Sequence, residues 1–257
     1  MSVFLLSLID KSIGGAMIKL SQLPLRFLLL SYNHQEILAG LVEKILKTYI
    51  RFFQCVQIIP SEYNYSQNGI VKMFDLLNIN SDNLDHIERK LINLIETPIT
   101  NFAIPVNIHL YQSGQLFWYT GIGVLESTGH SAAFFLHRFS ISTASIDYSP
   151  SSLHYLDNIL NSDNLIRSVS PRKVAADYGK NYNHFQRDCK EYFGDTFHQM
   201  HNKMKMLAVL ADIMFTDYSF KEVAYRNDFF NYNSMYILFC RKYKFPIDSI
   251  PRLLTEF

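Results

Sequence analysis

Between Gln35 and Phe53 apolar residues recur at Ile37, Leu38, Leu41, Ile45, Leu46 and Tyr49 with polar residues between them, the spacing of one face of an α-helix. The pattern then changes. Phe53 to Ile59 reads as a strand, and Pro105 to Tyr111 alternates apolar and polar positions in the way a half-buried strand does. Gln112-Ser-Gly-Gln115 reads as a turn, and Leu116 to Leu125 and Ala132 to Phe139 follow as strands separated by Ser127-Thr-Gly-His130, so three antiparallel strands are expected here. Between the two β regions, Ile70 to Leu77 and Leu84 to Ile95 have the spacing of short helices. The segment from Ser140 to Ser152, rich in Ser and Thr with Pro150, reads as a linker. It divides the chain into a front α+β domain, 1–145, and a rear all-helical domain, 151–257.

The rear domain carries one plan twice. Ser170-Pro-Arg-Lys-Val-Ala-Ala-Asp-Tyr-Gly179 places a capping Ser before a Pro in the first helical turn, apolar Val174 and Ala175 in the middle and a terminating Gly. A second helix, Tyr182 to Phe193, closes at Gly194; Phe185, Cys189 and Tyr192 form its apolar face while Asn183, Gln186, Arg187 and Lys190 share another. In the second copy Ser219 and Glu222 form a capping box ahead of Val223 and Ala224, and a helix from Tyr232 to Tyr243 buries Met235, Leu238 and Phe239. Phe197 to Phe215 joins the copies as a longer helix with Phe197, Met200, Met204, Leu207, Leu210 and Met214 on one stripe. Such a connector holds one copy at a fixed place relative to the other.

With 257 residues, 48% hydrophobic and 18% charged, the chain has enough apolar material for one large domain or two ordinary ones, and disorder, a collagen-like repeat and a coiled-coil rod are excluded. A net charge of +1 provides no global field towards a polyanion, so any such site must be local. Cys55, Cys189 and Cys240 lie far apart without a Cys-x-x-Cys pair, which fits neither a disulfide framework nor a structural zinc site; they read as small core residues in a reducing cytoplasm. The first thirty residues are apolar, including Phe4 to Ile9 and Phe27 to Leu30, but Asp10, Lys11, Lys19, Pro24 and Arg26 interrupt them before any membrane-spanning length is reached. They read as core rather than as an address.

Candidate chemistry is sparse. There is no Gly-x-Ser-x-Gly, no Cys beside a His and no strong carboxylate pair, so no catalytic residue is expected. His198 and His201 share a helix face without a third ligand, and no metal or cofactor is expected. His109, His130 and His137 lie on or near strands. Gly121-Ile-Gly123 lacks the third glycine of a dinucleotide loop and reads as a strand kink.

The order of elements in the front domain resembles a PAS-type sensor fold, with a cupin-like barrel as the alternative. From about Arg167 to Arg252 the chain resembles the C-terminal domain of AraC/XylS-type bacterial transcription regulators, on His184-Phe-Gln-Arg-Asp-Cys-Lys-Glu-Tyr-Phe-Gly194, Ser219-Phe-Lys-Glu-Val-Ala-Tyr225 with Phe229, and Phe239-Cys-Arg-Lys-Tyr243 with Pro246. Asp177-Tyr-Gly179 with His184-Phe185 and Cys189 also resembles the subset that controls type III secretion and invasion genes. The resemblance implies two helix-turn-helix motifs joined by a linking helix, set in two successive major grooves, and a cytoplasmic regulator that activates more often than it represses. The partners it implies are double-stranded DNA and RNA polymerase. A second copy of the chain and either a small-molecule effector or a protein coactivator, such as a secretion chaperone, are further candidates.

Carried over position by position, the base-contacting residues are Asn183, Gln186 and Arg187 in the first motif and Tyr232, Asn233 and Ile237 in the second. Lys180, Lys190, Arg241, Lys242 and Lys244 are the phosphate contacts. Ile237 stands where the family often has arginine, Cys240 where lysine is usual and Asp228 where glycine is usual. The second motif is therefore expected to grip phosphate mainly through Arg241, Lys242 and Lys244. The alternative is a sensor or interaction protein whose degenerate motifs act through protein contacts.

Overall fold

A computed structural model describes residues 2–23, 35–59, 69–78, 84–96, 103–126, 130–148, 150–161 and 170–254. Phe27 to Leu30, Ser127 to Gly129 and Arg167 lie outside the described residues. The architecture is mixed α+β, with a four-stranded antiparallel sheet and helices before, within and after it. The chain divides into two compact units. One holds Met1–Ile9, Arg51–Ser61 and Ile146–Phe257; the other holds Asp10–Ile50 and Glu62–Ser145. Two short stretches from the front of the sequence thus belong with the helical rear.

Helix α1, Val3–Ser21, gives the sheet unit its residues from Asp10 onward, where Ile13, Ala16, Met17 and Leu20 are buried, so this part of the apolar start of the chain is packed as core. Helix α2, Gln35–Cys55, realises the expected amphipathic pattern but runs further than the sequence reading placed it. Phe53 to Ile59 is not a strand: Tyr49, Phe52, Phe53 and Val56 are all buried, so the helical period continues to the helix end and residues 56–59 turn away.

Strand β1, Gly69–Asp75, replaces the expected helix over Ile70 to Leu77. A short apolar run carries both periods, and the pairing partner decided it. β1 lies antiparallel to β4, with Val71 and Met73 exposed on one side and Phe74 in the core on the other. Helix α3, His86–Glu96, follows, then β2, Ala103–Gln112, β3, Gln115–Leu125, and β4, Ser131–Ser142, the expected meander. The sheet order is β1-β4-β3-β2. Ser113 and Gly114 carry φ of 50° and 73° between β2 and β3, the two left-handed residues a tight hairpin turn requires.

The outer side of β1, at Val71 and Met73, stays open, but helices meet both faces of the sheet. On one, Ile87, Leu91 and Ile92 of α3 pack on Phe74, Val106, Ile108, Phe134 and Leu136, and Lys72 of β1 reaches Glu88 at 2.6 Å. On the other, Asp10 of α1 accepts hydrogen bonds from Asn107 (2.9 Å) and His109 (3.1 Å), and Asn107 in turn accepts from the Trp118 indole. Gly123 leaves the space that the Phe134 ring occupies; a Cβ there would lie 2.4 Å from it. This close approach, rather than a nucleotide loop, is what the Gly121-Ile-Gly123 string serves. Thr120 Oγ1 and His137 Nδ1, on residues paired across β3 and β4, are buried without hydrogen-bond partners among the described residues.

Among the described residues from Ser140 to Ser152 are the end of β4, two 3₁₀ turns, Thr143–Ser145 and Ser151–Leu153, and a parallel bridge between Asp147 and Ser2; the boundary between the two units falls after Ser145. The helical unit continues with α4, Tyr155–Asn161, α5, Pro171–Asp177, α6, Tyr182–Phe193, α7, Phe197–Phe215, α8, Phe220–Arg226, and α9, Tyr232–Tyr236. Its core includes Phe4 against Phe193 (ring centroids 4.7 Å apart) and Phe52 against Phe245 (5.5 Å). No helix among the described residues is long and apolar enough to cross a membrane.

Candidate nucleic-acid interface

The helix pair α5–α6 is built from local signals. Ser170 occupies the N-cap with Pro171 next to it, but its side chain makes no capping bond, contrary to the sequence expectation; the proline's fixed φ starts the helix instead. α5 ends at Gly179, φ 62°, whose N–H donates to the Ala176 carbonyl (2.9 Å) while the Lys180 N–H donates to that of Ala175 (2.8 Å). Asn181 then caps α6, its side chain accepting from the Asn183 N–H at 2.9 Å. α6 buries Phe185, Cys189, Tyr192 and Phe193 and stops at Gly194, φ 75°.

Two reciprocal hydrogen bonds hold α6 to α4. The Tyr155 phenol donates to Asp188 (2.8 Å) and the Tyr192 phenol to Asp157 (2.7 Å). Burial, then the accepting carboxylate, raises both phenol pKa values, so the two bonds keep their protons at any physiological pH. Burial also pushes the Cys189 thiol up to about 12, which makes it an inert core residue. Cys55 and Cys240 are only partly buried, a departure from their reading as core.

The connector α7 starts at a capping box between Thr196 and Gln199. Met206, Val209 and Ile213 are buried as well as Phe197, Met200, Leu207, Leu210 and Met214, whereas Met204 is only partly so. The helix is therefore enclosed on more than the single expected stripe. Lys203, 3% exposed, pairs with Asp195 at 2.5 Å.

The pair α8–α9 repeats the first with the same backbone bonds. Ser219 and Glu222 make the capping box read from the sequence, and those hydrogen bonds hold the Glu222 carboxyl below its usual pKa. Asp228 takes the place of Gly179, with φ 55°: its N–H donates to the Tyr225 carbonyl (3.2 Å) and the Phe229 N–H to that of Ala224 (3.0 Å). Lys205 of α7 donates to the Asp228 carbonyl and sets its ammonium 4.4 Å from the Phe229 ring centre. Buried Asn227 donates to Asp212 (2.8 Å) and to the Val223 carbonyl (2.9 Å). The Lys205 and Asp212 supports come from distant residues, and no local sequence signal marks them.

α9 is capped by Asn231 with Ser234 and buries Met235. The expected helix to Tyr243 changes its winding: Ile237–Lys242 forms a π-helical turn, with Phe239 buried and Leu238 only partly so. Lys244, φ 56°, ends it.

The outward surface of each second helix carries residues expected to touch DNA. On α6, Asn183, Arg187 and Lys190 are exposed and Gln186 is partly buried, while Lys180 stands exposed with its ammonium 4.9 Å from the Tyr155 ring centre. On α9 and the turn after it, Asn233, Ile237, Arg241, Lys242 and Lys244 are exposed. Tyr232 is partly buried, its ring packed near Phe220 (5.9 Å) and Tyr236 (6.0 Å). Arg172, which the sequence reading did not single out, places its guanidinium 5.4 Å from the Tyr182 ring centre at the start of α6. Among the described residues no group of three or more His, Cys, Asp or Glu gathers as a metal site would, and His198 pairs with Asn202 (3.1 Å). Comparison with protein-family models, with curated proteins and with solved structures gives no match.

Proposed function

We propose that this chain is a DNA-binding transcription regulator of the AraC/XylS type, in which α5–α6 and α8–α9 act as two helix-turn-helix motifs entering successive major grooves. One observation carries the reading. Two helix pairs of one unit share a left-handed turn, at Gly179 and Asp228, followed by an asparagine at the N-cap of the second helix, Asn181 and Asn231, and each exposes polar side chains on the outer face of that helix. Packing alone asks for an apolar inner face; it does not ask for the same cap and turn twice.

The division of labour follows from the exposed residues. Asn183, Gln186 and Arg187 have the side-chain geometries that pair with adenine and guanine edges, and Asn233 repeats the first of them. Lys180, Lys190, Arg241, Lys242 and Lys244 supply cations for phosphate, which fixes register without reading sequence. The 19 residues of α7 span about 28 Å, a length suited to holding two readers near one DNA turn, ~34 Å, apart. The sheet unit is then the part that senses an effector or contacts a coactivator or second copy, and activation through RNA polymerase is the outcome the family resemblance favours.

Footprinting and salt-titrated gel shifts on duplexes selected from a randomised pool test this reading. Two protected segments one turn apart are expected. Arg187→Ala relaxes preference at one base pair, while Lys242→Ala weakens all sequences alike and reduces the salt slope by about one. A folded chain that enriches no duplex refutes it. The second reading, action through protein contacts, draws on Tyr225 and Phe230, 82% and 93% exposed on α8 and in the turn after it. It predicts that the same selection returns no sequence.

A further inference from the structure

The caps place the two outer helices in a common register. Asn181 and Asn231 are the N-caps of α6 and α9, so Asn183 and Asn233 occupy equivalent sites in the first turn, and Arg187 and Ile237 are equivalent one turn further on. All four are exposed. The first pair is identical and the second differs completely in chemistry, a cationic fork in one helix and a β-branched hydrocarbon in the other.

Ile237 is 48% exposed, beside Tyr236 (36% exposed) and among the exposed Asn233, Arg241, Lys242 and Lys244. It does not belong to the buried face, which Met235 and Phe239 supply on either side of it. It follows an amide suited to adenine and precedes a run of cations suited to phosphate. An apolar group in that setting has one complementary feature on a major-groove edge, the 5-methyl of thymine, and no way to satisfy the acceptors of guanine.

Resting on the DNA-binding reading above, we infer that Ile237 is a specificity-determining residue that packs on a thymine methyl. The two half-sites then share an adenine, read by Asn183 and Asn233, and differ at the neighbouring position, guanine under Arg187 and thymine under Ile237. The inequality between the motifs becomes a device: it gives the binding site a direction, so that the chain lies on the duplex one way round. A lysine or arginine at Ile237 would make the half-sites alike and remove that polarity.

Duplexes enriched by the full-length chain from a randomised pool supply the probe, with uracil replacing thymine at each position of the α9 half-site in turn. Uracil keeps every hydrogen-bonding group and lacks only the methyl. For the wild-type chain, one replacement is expected to weaken binding roughly fourfold, the worth of one buried methyl-sized group. Ile237→Ala is expected to lose most of that sensitivity while keeping its salt slope and its far-ultraviolet circular dichroism. Ile237→Arg is expected to move the preference at that position to guanine. Sequence-selective binding that is indifferent to uracil at every position, or equal uracil sensitivity in Ile237→Ala, overturns the inference while leaving the regulator reading intact. A chain that enriches no duplex overturns both.

Discussion

Replacing Phe52 with alanine tests how the helical unit is held together. Phe52 lies in the last turn of α2, far in sequence from α9, yet its ring is fully buried, 5.5 Å from Phe245 and 6.4 Å from Phe239 between centroids. The Phe245 contact is edge-on, at 86°, the arrangement in which aromatic rings attract beyond simple burial. Truncating a fully buried phenylalanine costs ~3–5 kcal/mol, and the lost ring contacts place Phe52→Ala in the upper part of that range. Against a typical total of about 5–15 kcal/mol this is a large fraction, and it lowers the melting temperature by on the order of 10 °C.

Urea unfolding of the full chain gives the magnitude, and amide exchange gives the location. The amides of 232–242 should lose protection first, because Phe239 is on the far side of the lost contact, while those of β2 to β4 stay protected. For the same reason a fragment begun at Ser151, lacking Phe4, Phe52 and Phe53, should protect α9 less than the full chain does. A Phe52→Ala protein within about 0.5 kcal/mol of wild type, or a fragment with full-chain protection in α9, refutes this account of the unit's core.

The left-handed turns offer a matched pair: Gly179→Ala should destabilise by ~1 kcal/mol although nothing lies within 4 Å of the new Cβ, and Asp228→Gly should stabilise by up to ~1 kcal/mol, both read as shifts in urea midpoint; equal signs would remove backbone strain as the cause. Asp195→Ala leaves the buried Lys203 ammonium unpaired and should cost ~3–5 kcal/mol, whereas replacing both partners, Asp195→Ala with Lys203→Met, should be close to neutral in the same denaturation experiment. His137 has its pKa held below 6.5 by burial, with Glu43 opposing and Lys47 reinforcing the shift. Its contribution is therefore intact above pH 6.5 and is lost as pH falls towards the folded-state pKa, because the unfolded chain takes up the proton first. His137→Leu should flatten that part of the stability profile, and an unchanged slope between about pH 7.5 and pH 5 would show that His137 is not its source.

Local signals were legible from the residues alone. The capping box of Ser219 and Glu222, the bounds of α7 and the meander from β2 to β4 rest on contacts within a few residues or on a strict hydrophobic period, and the structure contains each of them. The exposure of Asn183, Arg187 and Asn233 was legible for the same reason, since exposure on an amphipathic helix follows its period. What the period could not decide was decided by partners distant in sequence. Ile70 to Leu77 carries a pattern both helix and strand accept, and it became β1 because β4 offered it an edge to pair with. Phe53 suits a strand by the shape of its neighbours and is helical because α2 runs on to Cys55, where Phe52 beside it completes a core with Phe239 and Phe245, far along the chain. The Tyr155–Asp188 and Tyr192–Asp157 bonds, the Lys205 clamp and the π-helical turn at Ile237–Lys242 have no local signature either. Hydrogen-bond geometry and ring packing are short-ranged in space but indifferent to sequence separation, so only the folded chain brings their partners together.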